Sequence, residues 1–128
     1  MSTKLLAGGV GADALVVPVT VTFSATPTFD LSTGNFFQIT MTGNVTSSTI
    51  TNQPADASRL RLRIIQDASG SRTFVFPTTF RFAGGSNGSS TSPTLTTTAS
   101  KADEFVMRYD TGLSLWMEES RDLNLPTS

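Results

Sequence analysis

The sequence predicts an all-β fold, an antiparallel β-sandwich of the jelly-roll kind with a flexible N-terminal arm. Three observations predict it. Hydrophobic residues are 38% of the chain and charged residues 15%, while Ser and Thr fill roughly thirty per cent. Thr is β-branched, and with Val, Ile and Phe it suits short strands that keep one face wet. Apolar and polar residues alternate in several short runs, and turn signals recur about every ten residues, with no helical periodicity between them.

Residues 1–12 carry Gly8, Gly9 and Gly11 beside Leu5, Leu6 and Val10, and read as an arm. From Leu15 to Phe23 the pattern alternates and the first strand is expected. Pro18 cannot donate a ladder hydrogen bond, so that strand belongs at an edge or breaks there. Thr26 to Leu31 is short and extended, and the turn Ser32-Thr33-Gly34-Asn35 leads into Phe36 to Thr42, where Phe37, Ile39 and Met41 share a face. Gly43-Asn44 turns the chain into Val45 to Thr51, and a loop around Pro54 follows.

Arg59 to Gln66 is the clearest strand. RLRLRIIQ places Leu60, Leu62 and Ile64 inward and Arg59, Arg61 and Arg63 outward. The loop Asp67 to Ser71, with Gly70 available for positive φ, reads as a hairpin into Arg72 to Phe76, which Pro77 ends. Thr79 to Phe82 is followed by the Gly- and Ser-rich loop Ala83 to Pro93. Thr94 to Thr98, Glu104 to Asp110 and Leu113 to Glu118 are the last extended segments, the final two joined at Thr111-Gly112. The domain is expected over 13–121, with 122–128 as a loose tail. Phe23, Phe29, Phe37, Phe74, Phe76, Phe80, Phe82, Phe105 and Trp116 are the expected aromatic core.

The composition excludes several functions. A chain of 128 residues has the size of one domain. Its formal charge of −1 offers no global attraction to nucleic acid or to an anionic membrane. There is no Cys and no His, which removes thiolate chemistry, disulfides, the commonest metal ligand and the commonest general base. No signal peptide or membrane span is legible near the N-terminus, so the protein reads as made and used without export. The glycosylation patterns Asn44-Val45-Thr46 and Asn87-Gly88-Ser89 carry no weight in that setting.

No constellation supports an enzyme. The adjacent acids Asp103-Glu104 and Glu118-Glu119 point to opposite faces of a strand, so neither pair can flank a glycosidic bond. They read as solvated charges. Asp67, Asp103 and Asp110 lack calcium-loop spacing, and the N-terminal glycines lack the context of a phosphate-binding loop. Catalytic, cofactor and metal residues are therefore all expected to be none. The ladder Arg59, Arg61, Arg63 is the most specific surface feature, because three like charges on one strand face repel unless acids or a partner stand opposite. Cross-strand pairing with Glu104, Glu118 or Glu119 is one answer, and a subunit contact is the other.

From Phe36 to about Trp116, the order TGNVTSSTITNQP, RLRLRIIQDASGSRTFVFP, FRFAGG, a Ser-rich loop, SPTLTTTASKADEFVMRYD and a closing Trp resembles a β-domain found repeatedly in tailed-bacteriophage virion proteins. IIQDASGSRTFVFP is similar to its most characteristic stretch, and PTLTTTA with the following strand and Trp is similar to its end. The resemblance covers about two thirds of the chain. It implies a virion structural protein, with a homotrimer as the expected oligomer. Such domains occur in tail fibres and other appendages, and in capsid decoration, cement or head-fibre proteins. Only about a dozen residues precede the domain, where a tail fibre needs an attachment region and a shaft. The expectation is a capsid decoration protein, made in the host cytoplasm and bound to the outer surface of a phage head. Its partner would be the major capsid protein or another virion protein. Leu5, Leu6, Val10, Arg59, Arg61 and Arg63 are the candidate capsid or subunit contacts. The alternative is a tail-fibre or appendage module recognising a host-surface glycan through the loop Ala83 to Pro93. Gly and Ser there, in place of aromatic rings, argue against it.

Overall fold

In the computed structural model, residues 17–53, 59–83 and 92–128 are described, and among them there is no helix. The expected arm at 1–12 and most of the loop at 83–93 lie outside the described residues. Eight strands run in chain order: β1 (Val19–Thr20), β2 (Thr28–Asp30), β3 (Phe36–Met41), β4 (Thr49–Thr51), β5 (Arg59–Gln66), β6 (Phe80–Arg81), β7 (Lys101–Asp110) and β8 (Leu115–Pro126). They form a six-stranded sheet in the order β1-β3-β5-β7-β8-β6 and a two-stranded sheet of β2 and β4. The fold is all-β.

The expected antiparallel pairing is corrected: the sheets are mixed. β1 pairs with β3, β3 with β5, β2 with β4 and β6 with β8 in parallel, while β5–β7 and β7–β8 are antiparallel. The cause is the path of the chain. A tight hairpin returns a strand beside its predecessor, whereas here consecutive strands pass between two layers. β1, β3 and β5 lie in the large sheet and β2 and β4 in the small one. Each return to a layer therefore brings a strand in beside the last one and pointing the same way. After β5 the chain crosses again, and the bridge between Val45 and Phe74, also parallel, continues the second layer.

β5 has the boundaries its alternation predicts, with Leu60, Leu62 and Ile64 buried on the core face. Phe37, Ile39 and Met41 of β3 pack beside them. From the second layer, Phe29 meets Phe37 at 5.5 Å between ring centroids, and Phe74 meets Phe76 at 5.0 Å. Phe76 in turn lies 5.3 Å from Phe105 of β7 and 4.8 Å from Phe82. Aromatic rings thus run from one layer to the other, mostly in the tilted and edge-to-face arrangements that ring quadrupoles favour. Phe23 is partly buried at the margin of this core.

Several segments depart from the expected strands. Arg72 to Phe76 contributes a single bridge, held by Val45 N–H to Thr73 O (2.9 Å) and Val75 N–H to Val45 O (3.0 Å). Thr94 to Thr98 forms no strand. The turn after β7 takes four residues, Thr111 to Ser114, with Ser114 at φ +57° and its N–H bonded to Asp110 O. At the C-terminal end the correction is larger. β8 continues to Pro126, with Ala102 opposite Leu125 and Lys101 opposite Pro126, so the ladder reaches well into the expected loose tail. Backbone pairing with β7 holds this stretch, which needs no alternation because most of it is exposed. Pro18 directly precedes β1, and β1 is an edge strand, as the missing donor requires.

Candidate interaction surface on the outer sheet face

Alternation in β5 sends Arg59, Arg61 and Arg63 to the face of the large sheet opposite the core. Register then decides their neighbours. Gln38 of β3, Arg63 and Glu104 of β7 form one cross-strand row, continued on β8 by Asp122. Phe36, Arg61 and Val106 form the next, continued by Ser120. Arg59 stands opposite Arg108 in the third.

In the first row Arg63 Nε donates to Glu104 Oε2 at 2.7 Å, and its Nη1 donates to Gln38 Oε1 at 3.0 Å. Gln38 Nε2 donates onward to Thr20 Oγ1 at 3.0 Å, so one hydrogen-bonded chain crosses β1, β3, β5 and β7. Arg61 takes the other oxygen of Glu104, at 3.4 Å. Arg59 and Arg108 face each other as like charges, an arrangement that needs an anion between them. Glu119 of β8 supplies it, 2.7 Å from Arg59 Nε and 3.6 Å from Arg108 Nε.

Phe36 changes the character of this face. It is 2% exposed and lies on the side opposite Phe37, under the guanidinium groups of Arg61 and Arg63, whose Cζ atoms stand 5.4 and 5.0 Å from its ring centroid. The arginines roof an aromatic ring while keeping part of each head group in solvent. Beside them a groove of about 560 Å³ runs between Gln38, Arg63, Ile65, Glu104, Leu125 and Pro126.

The ladder is answered within the chain by Glu104 and Glu119. Glu118, the third expected partner, instead binds Arg121 with both oxygens, at 2.7 and 2.8 Å, and also accepts from the Ala83 N–H. The bond to Glu118 raises the Arg121 pKa above its ordinary value, against a smaller opposing effect of burial. Leu5, Leu6 and Val10 lie outside the described residues and are not placed against this face.

Sequence reading misplaces three residues. Glu118, expected as a solvated charge, has a side chain only 3% exposed. Asp103 is no solvated acid: it is 2% exposed, on the core face of β7 opposite Ile64. Its oxygens accept from the backbone N–H groups of Thr96 (2.7 Å) and Asn124 (2.9 Å). Phe36 was missed beside Phe37, although two adjacent Phe residues on a strand must point to opposite faces.

Two further acids are held as acceptors. Asp30 caps its turn through the Ser32 N–H and hydroxyl and receives Asn52 Nδ2 at 2.7 Å. The bond from Asn52, followed by those from Ser32, holds its pKa below the ordinary value. Asp67 binds Arg72 and the N–H groups of Ser69 and Gly70, and the hydrogen bond from Arg72 is the main cause of its lowered pKa. Among the described residues no three acidic side chains gather as metal ligands. The arrangement offers charge and shape to a partner surface. Comparison of the chain with family models, curated proteins and solved structures finds no match.

Proposed function

We propose that the protein is a non-enzymatic virion structural subunit, a capsid decoration protein that binds the outer surface of a phage head and stabilises it, acting as a homotrimer. One observation carries the reading. The two stretches that bear the resemblance to phage virion β-domains, IIQDASGSRTFVFP and PTLTTTA, are joined in space. Ser71 N–H donates to Thr97 O at 2.8 Å, and Gln66 Nε2 donates to Thr96 O at 3.0 Å. The residues that make the first stretch distinctive each have a structural task there. Gln66 and Asp67 fix Arg72, Gly70 takes φ +69°, and Phe74 and Phe76 enter the core. The two stretches on which the resemblance rests thus form one local unit of this fold.

The test is direct. Purified protein is added to heads of a tailed phage that lack it, and binding and thermal release of DNA are measured. Saturable binding with a higher release temperature, and a sedimentation mass of three 13.6 kDa chains, are expected. No binding to heads, together with specific signals on a glycan array, would replace this reading with the appendage module.

A further inference from the structure

We infer that the outer face of the large sheet docks an extended acidic segment of a protein partner, with two carboxylates spaced as residues i and i+2, onto Arg61 and Arg108. The inference deepens the proposal of a virion-binding subunit by naming the chemistry of its contact, and it rests on that reading.

Positive and negative charge are unequal in this patch. In the cluster four guanidinium groups, of Arg59, Arg61, Arg63 and Arg108, share two carboxylates, of Glu104 and Glu119. Each carboxylate has one close partner and one distant one. Arg63 and Arg59 hold the 2.7 Å contacts, which leaves Arg61 at 3.4 Å and Arg108 at 3.6 Å. Arg61 also has its Nε buried with no hydrogen-bond partner, and that is the one such side-chain atom among the described residues. Both under-satisfied side chains reach solvent, at 34% and 47% exposure. Asp122, in register with Glu104 at the far end of the first row, forms no ion pair with them.

Geometry names the ligand. Arg61 is opposite Val106, and Arg108 lies two residues along β7 on the same face, so the backbone positions of the two arginines are diagonal neighbours, about 7–8 Å apart. Alternate residues of an extended chain project to one side at a spacing of about 6.5–7 Å. A segment of the pattern acid-x-acid matches that spacing, one carboxylate for each of the two flexible arginine side chains. Nucleic acid fits less well, since Glu104 and Glu119 stand within the patch and the whole chain carries −1.

The experiment follows the arginine Nε–H signals by NMR while the full chain is titrated with the peptide Thr-Glu-Thr-Glu-Thr. Controls at equal ionic strength are Thr-Gln-Thr-Gln-Thr, Thr-Glu-Glu-Thr-Thr and inorganic phosphate. Saturable shifts of Arg61 and Arg108 with the first peptide alone are expected. R61Q/R108Q should weaken binding about tenfold. E104Q should strengthen it, because it releases Arg61 and Arg63, and a merely structural role for Glu104 would not do that. Equal response to all anions, or none, overturns the inference. On heads, wild-type binding that R61Q/R108Q leaves unchanged, with its melting temperature intact, overturns the inference while the decoration role stands. Failure of wild-type protein to bind heads, with the peptide titration positive, overturns the role instead.

Discussion

The carboxamide of Gln66 pairs with the backbone of Arg72 at two points: Oε1 accepts the Arg72 N–H at 3.0 Å, and Nε2 donates to the Arg72 carbonyl at 2.9 Å. A side chain here takes the part of a strand, and Nε2 also reaches Thr96 O, so one 2% exposed residue joins the end of β5 to two crossing segments. Gln66→Ala would leave three backbone groups without this partner. The expected loss is about 2–4 kcal/mol, read as a lowered midpoint in urea unfolding.

Gly70 lies in the same turn at φ +69°, and a Cβ there would stand 2.6 Å from Thr97 O and 2.8 Å from Ala99 N. Both are backbone atoms, so neither can swing aside. Gly70→Ala is expected to cost more than about 2 kcal/mol. Gly112→Ala, where the nearest atom is the Asp110 carboxylate at 3.3 Å and φ is not positive, should stay within about 0.5 kcal/mol. Thermal unfolding of the two variants side by side makes the comparison.

Asp103 receives two backbone N–H groups and offers both oxygens to them. Asn at this position turns an NH₂ toward one of those donors. Asp103→Asn should therefore destabilise by about 1–3 kcal/mol, and amide exchange at Thr96 or Asn124 should accelerate more than in β5.

Asp30 and Asp67 bind protons less readily in the folded chain than their ordinary value of 3.8 implies, the first through Asn52 and Ser32, the second through Arg72. Below pH 3.8 the unfolded chain takes up protons first, so stability falls as pH drops from there through the lower folded values. The contribution is fully present above that range. Denaturant midpoints measured from pH 6 to pH 2 should decline at the acid end, and D67N and D30N should each flatten the decline.

How much of this was legible depends on what kind of information each residue carries. RLRLRIIQ sets its own boundaries and faces, because a period of two is visible in the letters. Partnership is not visible there. Nothing in Phe36 to Met41 says that β5 will lie beside it in parallel, since that follows from the crossing to β4 and back. The hidden role of Asp103 depends on N–H groups seven and twenty-one residues away. The continuation of β8 through Asp122 and Asn124 depends on β7 and not on its own polar letters. The ion pairs of the arginine ladder were foreseen as one of two answers, whereas the unequal sharing of Glu104 and Glu119 emerges from distances alone.

Passage between layers also governs how the molecule forms in time. Among the described strands, only β7 and β8 are both consecutive and paired, so they are the hairpin available to local collapse. β1, β3 and β5 must each wait for a distant stretch to return, and a growing chain emerges with these strands first and their finishing hairpin last. Spontaneous refolding is accordingly expected in the slow range of non-local β proteins, roughly milliseconds to seconds. Until β7 arrives, β5 leaves the ribosome with one open edge, and nascent chains rather than finished ones bear the greatest risk of aggregation.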